Sequence, residues 1–429
     1  MRDLQLIDLQ LSTMLQFSKY LLTFIFFLTL KNENFAQKNV LTKLLEQNKT
    51  FFGKITENPE RYEVQILYTQ IDRDANNQPT FKTFGYRADS TFYFYPASTV
   101  KYACSLLALE KINQLKRAIP SLSAETPYRM DSVRRQQIPF SQNDLSENKL
   151  PSISEDIKEV MIVSDNFAYN HLFDFLGRDY INDKLAAKGY TNSRFMHRFS
   201  IPGIDNRFTA PMTFFQEKDK KIVLQQGEQV SVNQYVNKQK SLLKGKGYWN
   251  GNDSLVLGAF DFSGKNYFSL HDQQLMLRAT LFPNTVPVKN RFDLTNEDYQ
   301  FLWKYMSIFP RESRFPHYDT SHYDGYCKFF MYGDGKQQRP DNIRIFNKVG
   351  DAYGYMIDNA YIVDFENNIE FIVSAVILSN EDEIFNDGKY EYDSVGMPFF
   401  ANLGRVLYDY ELKRKRKNKP DLSIFKLKY

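Results

Sequence analysis

The segments richest in strand-forming residues lie near the two ends of the chain, and the segments with helical spacing lie between them. Residues 62–71 and 80–86 flank the turn-forming run DRDANNQP, which predicts a β-hairpin. Three more strands are predicted near the other end, over residues 343–349, 360–365 and 369–378, before a helix at about 398–412. Strands from both ends then build one antiparallel sheet, and the central helices form a second lobe.

Composition argues against several classes of function. The 429 residues are 42% hydrophobic and 25% charged, which is typical of a globular protein, and the net charge of +4 gives no reason to expect nucleic-acid binding. The five histidines and two cysteines form no metal-binding spacing, so we predict neither a metal nor another cofactor. Cys104 falls in an apolar stretch and is predicted to be a buried thiol. We expect a monomer.

The N-terminal segment predicts export. Lys19 precedes an apolar run of 11 residues, Tyr20 to Leu30, which is too short to span a bilayer comfortably but suits the hydrophobic part of a signal peptide. A small residue, Ala36, follows near the expected cleavage point. We therefore predict a signal peptide over residues 1–37, a periplasmic or secreted protein, and no stable membrane insertion after cleavage. The alternative is an uncleaved membrane anchor.

Three short motifs carry side chains suited to one reaction. The first opens the apolar helical run that begins at residue 100, the second interrupts the helical lobe, and the third ends a predicted strand. Their sequences are Ser98-Thr99-Val100-Lys101, Ser164-Asp165-Asn166 and Lys348-Val349-Gly350. Each motif alone is common, and the alternative is a capping serine and two exposed loops. Their order, context and spacing favour a single catalytic site.

The chemistry of acyl transfer assigns a role to each motif. A serine hydroxyl needs a neighbouring base, and residues three apart share a helix face, so Lys101 can reach the nucleophile Ser98. The charge of Lys348 lowers the pKa of Lys101 by repulsion. Ser164 passes a proton to the leaving nitrogen. The substrate-binding groups are Asn166, which holds the substrate amide, and the segment Gly350 to Asp351, where the Asp351 N–H joins that of Ser98 in an oxyanion hole.

These motifs resemble those of class A β-lactamases, a family whose set is S-x-x-K, S-D-N and K-T-G. The resemblance covers residues 40–412, apart from 119–152 and 213–268, and extends to the segments 156–189 and 343–378. It implies an α+β fold of the β-lactamase/transpeptidase type, in which an antiparallel five-stranded sheet flanked by helices joins an all-helical lobe. The predicted domains are a discontinuous sheet domain (38–118 and 268–429), a helical lobe (119–212) and an insertion (213–267).

Two departures from the family pattern concern turnover. The family has a glutamate in an omega loop that activates the deacylating water, but the corresponding segment, residues 191–216, contains no Glu. Its only carboxylate is Asp205, which is a candidate replacement, but the pattern favours a carboxylate on the surface of a loop. Val349 also stands where the family has Ser or Thr, which removes a hydroxyl expected to bind the substrate carboxylate.

The sequence therefore predicts an exported serine hydrolase that forms an acyl-enzyme on Ser98 and hydrolyses a small-molecule β-lactam or a related amide. One alternative is a penicillin-binding enzyme of the same fold that acts on a peptidoglycan-like substrate and deacylates slowly. Another is a non-catalytic binding protein that kept the fold. The joint presence of Ser98, Lys101 and Lys348 argues against the last alternative.

Overall fold

The computed structural model of the protein describes residues 39–429. The predicted signal peptide lies outside these residues. The chain divides into two units, Met1–Lys43 and Leu44–Tyr429, and of the first only residues 39–43 are described. No helix within the described residues is long and apolar enough to cross a membrane.

The described residues contain nine α-helices and fifteen strands, several of them very short. The helices, in chain order, are α1 (Val40–Gln47), α2 (Lys49–Thr56), α3 (Val100–Lys116), α4 (Ile153–Ile162), α5 (Asn166–Leu176), α6 (Arg178–Ala187), α7 (Leu270–Leu281), α8 (Asn296–Ser307) and α9 (Met397–Lys413). The strands are β1 (Gln65–Arg73), β2 (Pro79–Tyr86), β3 (Tyr128–Met130), β4 (Ser193–Arg194), β5 (Met212–Phe215), β6 (Ile222–Gln226), β7 (Leu243–Lys244), β8 (Gly247–Trp249), β9 (Leu255–Leu257), β10 (Phe260–Asp261), β11 (Tyr267–Phe268), β12 (Ile343–Ala352), β13 (Tyr355–Asp364), β14 (Ile369–Leu378) and β15 (Ile384–Phe385).

The main sheet has five strands in the order β12-β13-β14-β1-β2, and every neighbouring pair is antiparallel. Strands from both ends of the chain therefore meet, because β14 pairs with β1. Every residue of β13 and β14 is buried, as expected for central strands covered on both faces. The predicted α+β class with a five-stranded antiparallel sheet is confirmed.

Helices cover both faces of this sheet. Two adjacent residues of β1 point to opposite faces and identify the helix on each. The Tyr68 hydroxyl donates to Glu411 of α9, and Thr69 Oγ1 donates to Gln274 Oε1 of α7 at 2.8 Å. The sheet is thus held between α9 and α7.

Helix α3 lies at the centre of a group of packed helices. Every residue of α3 from Val100 to Glu110 is buried, so this helix is surrounded by protein rather than lying at the surface. It packs against α4 and α5. The turn that carries Ser164 separates α4 from α5, at the point where the second motif interrupts the helical pattern of the sequence. Three short strands, β3, β5 and β6, form a small sheet that the sequence pattern did not predict.

Residues 213–267, the predicted insertion, pair with other parts of the chain. Strand β8 lies between its hairpin partner β9 and the parallel strand β15. Phe262 belongs to a buried aromatic cluster with Tyr93 and Tyr355. The segment is therefore packed into the molecule through apolar contacts. The division into a sheet domain, a helical lobe and an insertion stays a prediction.

Candidate active site

Ser98 lies at the entry to α3, in the short 3-10 helix Ala97–Thr99. The turn is fixed by Thr99, whose Oγ1 donates to the carbonyl oxygen of Pro96 at 2.7 Å. Ala97 has a φ of +46°, a left-handed conformation that is costly for a residue with a Cβ. The neighbours of Ser98 are buried, whereas Ser98 itself is partly exposed. The turn thus presents the serine hydroxyl to a cleft.

Lys101 lies one helical turn after Ser98, and its side chain is completely buried. Its Nζ is 2.5 Å from the carbonyl oxygen of Ser164, 2.7 Å from Asn166 Oδ1 and 3.3 Å from Ser164 Oγ. These contacts connect α3 to the turn between α4 and α5. Ser164 has a φ of +62°, so this turn is also left-handed at a residue other than glycine.

Lys348 approaches the Ser164 hydroxyl from the main sheet. Its Nζ, on the buried side of β12, donates to Ser164 Oγ at 2.7 Å and to the carbonyl oxygen of Val349 at 3.0 Å. Ser164 Oγ therefore lies between two lysine amino groups, one from α3 and one from strand β12. A hydroxyl can accept from one amine and donate to the other, so this arrangement can carry a proton between them.

Gly350 brings β12 into contact with the backbone of the serine turn. A Cβ at this position would lie 2.7 Å from Ser98 N, 2.9 Å from Pro96 O and 3.0 Å from Thr99 N. Real Cβ atoms do not approach backbone atoms this closely, so only glycine fits here. The edge of the sheet is thus packed directly against the residue predicted to be the nucleophile.

Burial shifts the ionisation of both lysines, and the charge of Lys348 adds to the shift at Lys101. Burial, followed by the charge of Lys348, lowers the pKa of Lys101 well below its ordinary value. Burial lowers the pKa of Lys348 to about 8, although the nearby Asp351 carboxylate opposes this effect. The burial of Lys101 and the charge of Lys348 thus favour the neutral amine of Lys101, the form that can accept a proton.

A cavity of about 730 Å³ lies in front of these residues. Ser98, Ser164, Asn166 and Asp351 line it, and Lys101 and Lys348 contact it through Ser164 and Asn166. With Gly350 behind Ser98, the structure brings all seven predicted site residues to one place. Their chemical roles remain predictions. Within residues 39–429, no group of three or more His, Cys, Asp or Glu side chains is arranged to hold a metal ion.

The sequence pattern missed several residues that shape this cavity. Lys101 Nζ lies 5.3 Å from the centre of the Phe199 ring, and Asn166 Nδ2 donates to Ser200 Oγ at 3.0 Å. Tyr353 lies at the tip of the β12–β13 hairpin, where both Tyr353 and Gly354 have positive φ, as two-residue hairpin turns require. Residues 199 and 200 carry no periodic pattern, whereas the Tyr-Gly pair between two strands was a usable turn signal.

The loop that contains Phe199 and Ser200 is held by a buried ion pair. Arg198 Nε is 3.0 Å from Asp174 Oδ2, and the Asp174 carboxylate also accepts from the backbone N–H of Ala210 at 2.6 Å. Both ends of the loop are thereby tied to α5. Because one partner left alone would be a buried charge, this pair is strongly required for the shape of the loop.

Asp205, the candidate replacement for the omega-loop glutamate, does not line the cavity. It pairs at the surface with Arg207, with 2.6 Å between Asp205 Oδ2 and Arg207 Nη2, and both side chains are largely exposed. The hydrogen bonds from Arg207 lower the pKa of Asp205 to about 2. A carboxylate in this position and environment is poorly suited to act as a base in the cavity.

Replacing Gly350 by alanine is expected to displace the serine turn. The added Cβ would overlap Ser98 N and Pro96 O, and a shift of about 1 Å at a reacting group typically costs about 100-fold in rate. We therefore expect covalent labelling of Ser98 by a fluorophosphonate probe to slow by about that factor. Labelling at the unchanged rate in Gly350→Ala would contradict the close packing described above.

Gly227→Ala is the matched control, since nothing lies within 4 Å of a Cβ built there and its φ is not positive. This variant should label at the rate of the unmodified protein. Thermal unfolding of both variants separates a local displacement from a general loss of stability.

Comparison with known proteins gives one family match and weak structural similarities. Residues 51–257 match the model of a family described as the β-lactamase enzyme family. A comparison with curated proteins gives no significant match. One similar solved structure is a class A β-lactamase from Clostridium kluyveri, with 15% identity, coverage of 85% of this chain and 98% of that chain, and a TM-score of 0.46. Another is a β-lactamase from Streptomyces albus G, with 13% identity, coverage of 85% of this chain and 99% of that chain, and a TM-score of 0.46. A protein named PBP-A is similar to the same degree, with 13% identity, coverage of 87% of this chain and 96% of that chain, and a TM-score of 0.46.

Because these TM-scores are below 0.5, the fold is assigned from the strand order of this chain and not from the structural neighbours. The matched residues 51–257 contain the first two predicted motifs, and β12 brings the third motif to them. The family predicted from the sequence is confirmed. The match over residues 51–257 supports a serine β-lactamase-like family for this chain.

Proposed function

We propose that the protein is an exported serine hydrolase that forms an acyl-enzyme on Ser98 with a β-lactam or a related amide. The observation that carries this proposal is the position of Ser164 Oγ, 2.7 Å from Lys348 Nζ and 3.3 Å from Lys101 Nζ, in the cavity that Ser98 lines. Export rests on the apolar run in residues 20–30, outside the described residues.

In the proposed acylation step, Ser98 Oγ attacks the carbonyl carbon and its proton passes to the neutral amine of Lys101. The N–H groups of Ser98 and Asp351 stabilise the oxyanion. When the C–N bond breaks, the leaving nitrogen takes a proton from Ser164 Oγ, which Lys101 then reprotonates. The electron pair of the broken bond stays on nitrogen, and Lys101 returns to its neutral form.

The proposed deacylation step lacks an evident base. Water must lose a proton as it attacks the ester at Ser98, and no glutamate occurs in residues 191–216. The exposed ion pair of Asp205 supports the second candidate function, a penicillin-binding enzyme that acylates readily and deacylates slowly on a peptidoglycan-like substrate. The two candidates share the first step and differ in the rate of the second.

Removing either the nucleophile or its base is expected to abolish acylation. Ser98→Ala and Lys101→Ala should each prevent labelling by a fluorescent penicillin, and the double variant should be no worse than either, because the two groups act as a unit. Mass spectrometry of the intact protein measures the adduct. A folded Ser98→Ala variant that labels normally would refute the assignment, and an unmodified protein that never labels would favour the non-catalytic alternative.

Lys111→Ala is a matched control, since it also removes a mostly buried lysine from α3. Its Nζ donates to the carbonyl oxygen of Phe175 and to Gln226 Oε1, away from the cavity lining. The variant should lose stability yet retain labelling.

The acylation rate should have an alkaline limit near pH 8. The proposed step needs Lys101 without its extra proton, which the lowered pKa allows. It also needs Lys348 with its proton, because the Lys348 ammonium holds the Ser164 hydroxyl that protonates the leaving nitrogen, and this proton is lost as pH rises through a pKa of about 8. We therefore expect the second-order acylation rate constant to fall above that pH. Lys348→Arg keeps its charge there and should move the fall to higher pH. A fall at the same pH in both proteins would show that another group controls it.

Hydrolysis of a chromogenic cephalosporin should show a burst followed by a slow steady rate. Loss of general-base assistance typically costs about 10²–10⁴-fold, and only deacylation lacks its base here. Stopped-flow absorbance measures both phases. Asp205→Asn should leave both phases unchanged, because the carboxylate is engaged with Arg207 outside the cavity. A fast, linear time course would contradict slow deacylation.

A further inference from the structure

The Asp351 carboxylate lies in the cavity without a partner. It is exposed to the cavity, and it makes no side-chain hydrogen bond and no ion pair with any residue in the described range 39–429. It directly follows Gly350, whose backbone contacts the turn of Ser98. Within the described residues, a carboxyl group without a hydrogen-bonding partner therefore stands beside the place where the substrate carbonyl must bind.

The surroundings of Asp351 suit a cation. The rings of Tyr326, Tyr353 and Tyr392 line the same cavity, and aromatic faces attract ammonium groups. Packing of protein around the carboxylate raises its pKa, because partial removal from water disfavours the charged form. A bound ammonium would replace the lost water and stabilise the charge.

The same surroundings oppose a substrate carboxylate. Val349, which also lines the cavity, has no hydroxyl to bind one, and Asp351 would repel it. A substrate carboxylate would have to compete with the contacts of Lys265, whose Nζ donates to the Tyr353 hydroxyl at 3.2 Å and lies over the rings of Tyr353 and Phe260. Arg198 is committed to its buried pair with Asp174.

We propose that Asp351 is a specificity residue that selects substrates with an ammonium group close to the scissile amide and disfavours those with a carboxylate there. This inference rests on the proposed acyl transfer at Ser98 and names the substrate class of that site. A competing role for Asp351 is to balance the charge of Lys348. That role would affect every substrate equally, whereas selection depends on the charge of the substrate.

The test uses one chromogenic cephalosporin in three forms that differ only at the carboxyl group next to the fused ring nitrogen. The free acid carries a negative charge, the methyl ester is neutral, and the 2-aminoethyl ester carries an ammonium. Acylation rate constants for the three forms are compared between the unmodified protein and Asp351→Asn, which keeps the backbone N–H and nearly the same shape. Asp205→Asn is the matched control, since it removes one carboxylate outside the cavity.

We expect the acylation rate constant of the unmodified protein to rise about tenfold from the acid to the methyl ester and about tenfold again to the aminoethyl ester. A factor of this size corresponds to one charge-assisted contact. Asp351→Asn should remove this order, and Asp205→Asn should retain it. If all three forms acylate Asp351→Asn and their rate constants keep the order found in the unmodified protein, the proposed selectivity is wrong but the proposed function stands. No acylation of Ser98 by any form would overturn the proposed function as well.

Discussion

Two buried lysine amino groups that meet at one serine hydroxyl form the interaction on which the site depends. Removing an amino group from water is costly unless hydrogen bonds replace its hydration. Lys101 and Lys348 have these bonds only because α3, the turn before α5 and strand β12 meet at Ser164. If any of the three elements moves, at least one buried amine loses its partner. The sheet, the helical lobe and the site are therefore coupled in stability.

The backbone around this interaction is strained, and the strain places the serine side chains of the site. Ala97 and Ser164 both adopt left-handed conformations, each of which costs on the order of 1–3 kcal/mol for a residue with a side chain. Gly350 contributes the opposite adaptation, a missing Cβ that lets the sheet edge reach Ser98. The strained turn and the close approach of Gly350 together orient the Ser98 hydroxyl toward the cavity. Among the described residues, this hydroxyl has no hydrogen-bonding partner. A serine that followed local preferences would turn back to cap its own helix.

The sequence predicted those parts of the structure that local patterns specify. The turn-forming run between β1 and β2 and the three apolar runs near the other end were sufficient to locate all five strands of the sheet, because strand and turn signals are short-range. The three motifs were sufficient to name the residues that meet in the site. The role of the Asp351 side chain was missed, since it depends on which groups are absent around it, and no local pattern contains that information. The loop of Phe199 and Ser200 was missed for a similar reason, because a distant ion pair, Arg198 with Asp174, determines its position.

The contacts of residues 213–267 have a consequence for how this cavity can change over evolution. Tyr353, at the rim, packs against Phe260 and Phe262, with ring centres 5.5 Å apart in both cases. Both phenylalanines come from that segment, whereas the hydroxyl and the two amines come from elements outside it. Mutations in the segment can reshape one wall without moving the reacting atoms. The shape of this wall and the groups that meet at Ser164 are thus encoded in separate stretches of the chain, so the wall can drift while those groups are held fixed.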